Sequence, residues 1–243
     1  MSGPPSLRAA GHALMYWQRR QEVNANNLAN VETPGFRAQR VFSEVMRGGV
    51  PALGTVTDPR GGELRETGGP LDLALHGEGH FVVETARGSK FVRSGSFTMD
   101  ADGQIVDSNG HALLGTNGPL VLPPGPVEID ASGIVRVAGE QVGRLRIVRA
   151  PEVTRSEGVT GGATSPTTAS IREDGTVDPS QLEDLSPESV RVRQGYLEGS
   201  NVNALGALIE MTTIQRSFEA VQTTVRTIDS MMETVSNRLG RVD

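Results

Sequence analysis

The chain has 243 residues, a formal net charge of −6, 36% hydrophobic and 4% aromatic residues, 30 Gly, 14 Pro and no Cys. That length holds one or two domains, and a Gly- and Pro-rich chain of low apolar content predicts short strands, many turns and a modest core. The acidic balance argues against nucleic acid as the main partner, and the lack of Cys removes disulfides, thiolate nucleophiles and Cys-based metal sites.

The N-terminus shows no charged segment followed by an apolar run, so no cleavable signal peptide is expected. Nor is any apolar run long enough to span a membrane. Leu7, Ala10, Leu14 and Trp17 follow a 3–4 spacing that Leu28 resumes after Gln21 and Asn24, predicting a helix over about 7–28. Asn24, Asn26, Asn27 and Asn30 then crowd its end, and Asn favours helix termini because its amide competes for backbone groups. Pro34 pushes Thr33 out of the α region, and Pro34-Gly35 suits the centre of a type II turn. Phe36 follows, so residues 1–40 form an N-terminal unit with an enforced stop.

Residues 41–66 carry Gly48-Gly49, Pro51, Pro59 and Gly61-Gly62 with little periodicity and are expected to be a connector. From 67 to 190 the pattern predicts an all-β middle domain. Phe81 to Glu84 and Phe91 to Phe97 flank a turn at Ala86-Arg87-Gly88-Ser89. Asp102-Gly103 and Asn109-Gly110 bracket Gln104-Ile105-Val106, and both dipeptides favour hairpins. Val127-Glu128-Ile129 and Ile134 to Val137 flank another turn at Asp130-Ala131-Ser132-Gly133, and Leu145 and Ile147 alternate with Arg144 and Arg146. Residues 158–180, rich in Gly, Ser and Thr, are expected to be a mobile loop.

The last unit, 191–243, holds the strongest periodicity. Ala204, Ala207, Met211, Ile214, Phe218, Val221, Val225, Ile228, Met232, Val235 and Leu239 recur in steps of 3 and 4. All are apolar, which places them on one narrow stripe of a helix, the seam of a coiled coil. From Asn201 to Leu239 such a helix is roughly 58 Å long. Each buried Val, Ile, Leu or Phe is worth about 1.5–3 kcal/mol, so the stripe needs a partner. The fold class expected is α+β, with terminal helices forming a coiled-coil-type segment around an inserted β domain. The two end helices are the natural partners for each other. Gln21 and Asn24 weaken the N-terminal stripe, however, so the ends are expected to order fully only on assembly with neighbouring copies.

Nothing in the sequence carries an assembled catalytic motif. His76-Gly77-Glu78-Gly79-His80 could suggest metal binding, but its glycines predict a turn and no third ligand is evident. Asp100-Ala101-Asp102-Gly103 begins like a calcium loop without the later ligands. Neither a P-loop nor a nucleophile elbow occurs.

Three segments carry a resemblance. Asn26-Asn27-Leu28-Ala29-Asn30 with Thr33-Pro34-Gly35-Phe36-Arg37 resembles the N-terminal signature of the bacterial flagellar basal-body rod and hook proteins. Gly195-Tyr196-Leu197-Glu198-Gly199-Ser200-Asn201-Val202-Asn203 is similar to that family's C-terminal signature. Between them, Gly69-Pro70-Leu71-Asp72-Leu73-Ala74-Leu75, Gly77-Glu78-Gly79 and Arg93-Ser94-Gly95-Ser96-Phe97 match its central region. The family usually has an aromatic pair after Gly79, where this chain has His80-Phe81.

The resemblance implies a structural rod subunit, nearer the proximal rod than the distal rod, with no catalytic, metal or cofactor site. It implies export through the flagellar type III apparatus and helical assembly with itself and with other rod and hook subunits in a rod that crosses the periplasm. Its assembly residues would be Asn26, Asn27, Leu28, Ala29, Asn30, Thr33, Pro34, Gly35 and Phe36, then Gly199, Ser200, Asn201, Val202 and Asn203, then the eleven-residue stripe. Two other classes compete on the residues alone: a secreted metal-dependent enzyme using His76 and His80, and a β-rich adhesin on a coiled-coil stalk.

Overall fold

Helix α1 (Pro5–Ala29) opens on a proline, whose fixed φ suits a first helical position. The computed structural model describes residues 5–45, 51–149, 155–156, 176–177, 183–186 and 191–239. Helix α2 (Ala204–Leu239) closes the chain, and between the helices the described residues form short strands. The architecture is α+β, with helices at the ends and a mainly β middle region.

The two helices run antiparallel: Asn24 Nδ2 donates to the Ala207 carbonyl at 2.7 Å, while Arg20 reaches back to Glu210 further along α2. The 3–4 stripe of α2 faces α1. Ala207 and Ile214 are buried, and Ala204, Met211, Phe218, Val221, Val225 and Ile228 are half-buried. Met232 is exposed, and the side chains of Val235 and Leu239 lie outside the described residues. On α1, Tyr16 and Trp17 meet edge to face with centroids 5.4 Å apart, and the Arg20 guanidinium sits 5.2 Å from the Trp17 centroid. Asn24 differs from its sequence reading. It is buried and satisfied by α2's backbone instead of weakening the pairing, so one chain already brings its two ends together.

The expected connector also differs. It contains the antiparallel hairpin Gln39–Val45 with Pro51–Thr57, in the register Gln39↔Thr57 to Val45↔Pro51. Glycines and prolines hid this hairpin from a search for long periodic runs. Past it, Leu64–Glu66 pairs with Tyr196–Glu198, and Leu73–His76 pairs with Arg191–Gln194. The chain entering the middle region therefore lies beside the chain leaving it. Val192 belongs to the middle core, so strand Arg191–Gln194, placed with the C-terminal unit in the 191–243 division, packs structurally with the middle region.

The core collects Leu73, Leu75, Phe81, Val83, Phe97, Ile105, Leu113, Val135 and Ile147, all buried. Phe81 and Phe97 cross edge to face at 5.5 Å and 89°. Phe81 lies in strand His80–Thr85, which pairs with Gly88–Val92 and Ala112–Gly115. Phe97 itself falls outside a strand, contrary to the expected run from Phe91 to Phe97. Of the expected mobile loop 158–180, only Thr176–Val177 is among the described residues, and it pairs with Lys90 and Ser89.

Three turns repeat one device. Asp100, Asp107 and Asp130 each accept with Oδ1 from the backbone two and four residues ahead, at 2.8–3.1 Å. In each, the residue three ahead is a glycine with φ near +80° (Gly103, Gly110 and Gly133).

Gly95 supplies the tightest fit in the core. Its carbonyl accepts from the Leu73 amide at 2.8 Å, and a Cβ there would lie 1.5 Å from the Leu73 oxygen. Gly95→Ala is expected to cost about 3 kcal/mol or more in urea unfolding, because two backbones must separate. Gly110→Ala, which meets open space at φ +79°, should cost only about 1 kcal/mol. Equal costs at the two sites would contradict this packing.

Candidate functional site

The two chain ends meet the middle region through a cluster of side-chain and backbone hydrogen bonds. Helix α1 stops as its asparagines predict. The Asn30 amide donates to the carbonyls of Asn26 and Asn27, and Asn30 Nδ2 donates to Asn26 O at 2.9 Å. Thr33 to Phe36 then close a turn through Phe36 N to Thr33 O at 3.2 Å, with Gly35 at φ +69°. Gly35 is confined sterically as well: a Cβ would sit 2.5 Å from the backbone of Arg93 and Ser94. The expected type II turn thus presses against the middle region.

Side-chain amides then take the place of strand partners. Asn27 accepts from Gln39 N at 2.9 Å and donates to Gln39 O at 2.8 Å, as a neighbouring peptide would. Asn201 accepts from Ala38 N at 2.7 Å, donates to Arg60 O at 2.7 Å, and bonds Phe36 O through its own amide. Asn203 caps α2, accepting from Gly206 N with its side chain. Ser200 Oγ accepts from Val202 N at 3.2 Å. Leu28, Phe36 and Val202 are half-buried within this joint, Gly199 N donates to Glu63 O, and Asn26 and Ala29 are exposed.

At the centre lies Glu198, buried to 2% relative exposure. Its carboxylate accepts from Arg93 Nε and from Gly62 N, and Arg37 Nη2 lies 3.7 Å away. Its backbone carbonyl accepts from Gly35 N at 2.7 Å. Arg93 also donates to the carbonyls of Leu75, Gly77 and Gly79, which fixes the turn before strand His80–Thr85. The glycines of the connector make room: a Cβ on Gly62 would lie 2.0 Å from Gly199 O. One carboxylate thereby joins the N-terminal arm, the connector, the middle region and the strand leading to α2.

Two neighbours feel this charge cluster. His80 is held neutral, its pKa lowered to about 4 by burial and then by the positive charges of Arg93 and Arg37. The Arg37 pKa is lowered by burial and by the like charge of Arg93. Nearby, Asp58 is held well below the usual carboxylate range, first by its hydrogen bond from Arg60. A cleft of about 570 Å³ opens beside it between α1, the start of α2 and the hairpin, with Arg20, Asn24, Arg40 and Asn203 among its walls.

The sequence named the asparagines and the turn but assigned no role to Arg37, Arg93 or Glu198. Each stands inside one of the three signature segments, and a charged residue amid glycines and apolar residues was the available signal. His76 is exposed while His80 is half-buried and neutral. Among the described residues no group of three His, Asp or Glu side chains gathers as a metal site would need.

Two measurements check this geometry. Glu198→Ala leaves buried guanidinium groups unpaired and should cost about 3–5 kcal/mol. In a double-mutant cycle with Arg93→Ala, the double variant should lose clearly less than the two single losses added; strict additivity would refute the pairing. For His80 the folded pKa lies below its ordinary 6.5, so the unfolded chain takes up the proton first. Its contribution is full above about pH 6.5 and is lost as pH falls towards 4. Urea stability should drop by about 2 kcal/mol more between pH 7.5 and 5 than in His80→Phe.

Comparison with known proteins places all three regions. Residues 7–37 match the family described as flagella basal body rod protein, residues 74–178 the flagellar hook protein FlgE/F/G D1 domain, and residues 193–239 the flagellar basal body rod FlgEFG protein C-terminal region. The chain is 34% identical to flagellar basal-body rod protein FlgF of Escherichia coli (strain K12), covering 86% of this chain and 88% of that one. It is 30% identical to FlgF of Mesorhizobium japonicum, covering 97% and 98%. With flagellar basal-body rod protein FlgG of Bacillus subtilis the identity is 25%, covering 96% and 98%.

Proposed function

The chain belongs to the flagellar basal-body rod protein family, and on that premise we propose that it is a structural subunit of the rod, the drive shaft between motor and hook. The FlgF branch, which we read as the proximal rod, is favoured over the FlgG branch. Alignments to the FlgF relatives run over 230–249 residues and those to FlgG over 265–272. A chain of 243 residues fits the first group with fewer gaps.

The observation that carries this reading is the joint itself. Both chain-end signatures are spent on holding α1 and α2 side by side on the middle region, an arrangement suited to bearing load and to no chemistry. The 3–4 stripe of α2, half-buried in one chain, is suited to coiled-coil-type packing with the helices of neighbouring rod and hook subunits. In this reading, unit 1–40 and the part of unit 191–243 beyond strand Arg191–Gln194 make the helical assembly layer. Unit 67–190 stands outside it, and 41–66 spans the two. Passage through the flagellar export apparatus completes the proposal. No described helix is long and apolar enough to cross a membrane.

The test is complementation of a strain lacking the gene. Leu28→Asp and Phe218→Asp each put a charge at a half-buried position in the joint or seam, where desolvation costs several kcal/mol if the charge is unpaired. Both variants should be exported, be missing from purified basal bodies and leave cells non-motile on soft agar. Full motility with either variant would overturn the assembly role.

A further inference from the structure

The antiparallel register fixed by Asn24 with Ala207 and Arg20 with Glu210 can be followed to the end of α1. It brings Pro5 level with about Arg226, so α2 runs on past the described part of α1 for residues 227–239, roughly 20 Å. The apolar stripe continues there: Ile228 is half-buried, while Met231 is 62% and Met232 41% exposed. In sequence it goes on to Val235 and Leu239. At the opposite end of α2 a second apolar patch is turned away from α1. Leu205 is 69%, Leu208 49% and Ile209 60% exposed, while Ala207 between them is buried. The two patches lie roughly 35 Å apart on one straight helix, so they cannot cover each other within a chain.

We infer that the overhanging end of α2 in one copy seats on the Leu205–Leu208–Ile209 patch of a second copy. This rests on the rod reading for self-association and names the surfaces that carry it. The overhang is continuous with the α1–α2 seam and keeps its 3–4 spacing, so a helix of the same chain extends packing that the fold already uses. The second patch has the matching i, i+3, i+4 spacing of a helical contact stripe. Because the two patches differ, the contact is heterologous, and every joined copy keeps one free patch of each kind. Repetition then gives an open polymer instead of a closed dimer.

Sedimentation velocity on the purified full chain tests this. Leu205→Asp with Ile209→Asp disables one patch, and Met231→Asp with Met232→Asp disables the other. All four side chains are exposed, so circular dichroism and melting of both variants should match the unaltered chain. The unaltered chain should grow with concentration, and each variant alone should stay monomeric, its self-association weakened by more than about tenfold. An equal mixture should give one-to-one dimers that grow no further, since one intact patch of each kind remains. Growth or dimerisation of either variant alone, or a mixture that stays monomeric, would overturn the inference. So would an unaltered chain that never associates. That last result leaves the rod reading standing, because it is judged by incorporation into basal bodies.

Discussion

The buried carboxylate of Glu198 is the one charged group on which the N-terminal arm, the connector and the middle region converge. Removing a carboxylate from water costs several kcal/mol, and only good geometry with further hydrogen bonds repays it. Here Arg93 supplies the charge and Gly62 an amide, while Arg37 approaches from the N-terminal arm. Such a pair contributes less to net stability than to uniqueness. If the strand Tyr196–Glu198 slipped by one residue against Leu64–Glu66, the carboxylate would leave its partners and strand both charges. The register of the chain into α2 is therefore fixed by an electrostatic penalty against every alternative.

Asparagine is the second recurring choice, and its chemistry explains why. A side-chain amide carries a donor and an acceptor in peptide geometry without charge. Asn27 can therefore stand beside Gln39 as a strand neighbour would, and Asn201 can bridge Ala38 and Arg60. Aspartate could accept these bonds but could not donate any, and its charge would need a further cation. The joint is short on regular secondary structure and long on side-chain-to-backbone bonds, so side chains take up backbone donors and acceptors where the ends of two helices meet a β region.

Much of this was legible in the sequence, at the level where period and turn chemistry act. The 3–4 stripe from Ala204 to Val225 turned its face to α1, and the Pro34-Gly35 turn and three Asp-led hairpin turns formed where their residues required. The hairpin Gln39–Val45 with Pro51–Thr57 was not legible, because its pairing is settled across the loop and not within either strand. Strand Arg191–Gln194 escaped for the same reason: its partner Leu73–His76 lies more than a hundred residues away. The charge node is non-local too. Arg37, Arg93 and Glu198 are unremarkable one at a time, and only the fold shows that one carboxylate serves both arginines. Asn24 was misjudged because helix propensity scores it as a defect, while tertiary contact with Ala207 O makes it a fastener.

The two kinds of contact divide the work between them. Polar bonds at the joint are directional and fail over a few tenths of an ångström, so they set angle and register. The apolar stripe of α2 is tolerant of small shifts, since burial scales with area and not with direction. A shaft subunit needs both. A rigid joint holds the helices at one angle to the middle region. A seam that is only half-buried in one chain keeps apolar surface available for a neighbour. Val221, Val225 and Ile228 are neither sealed nor bare, whereas the core around Phe81 is closed to solvent. Packing in this molecule is thus complete where shape must be kept and incomplete along the one helix that reaches furthest from it.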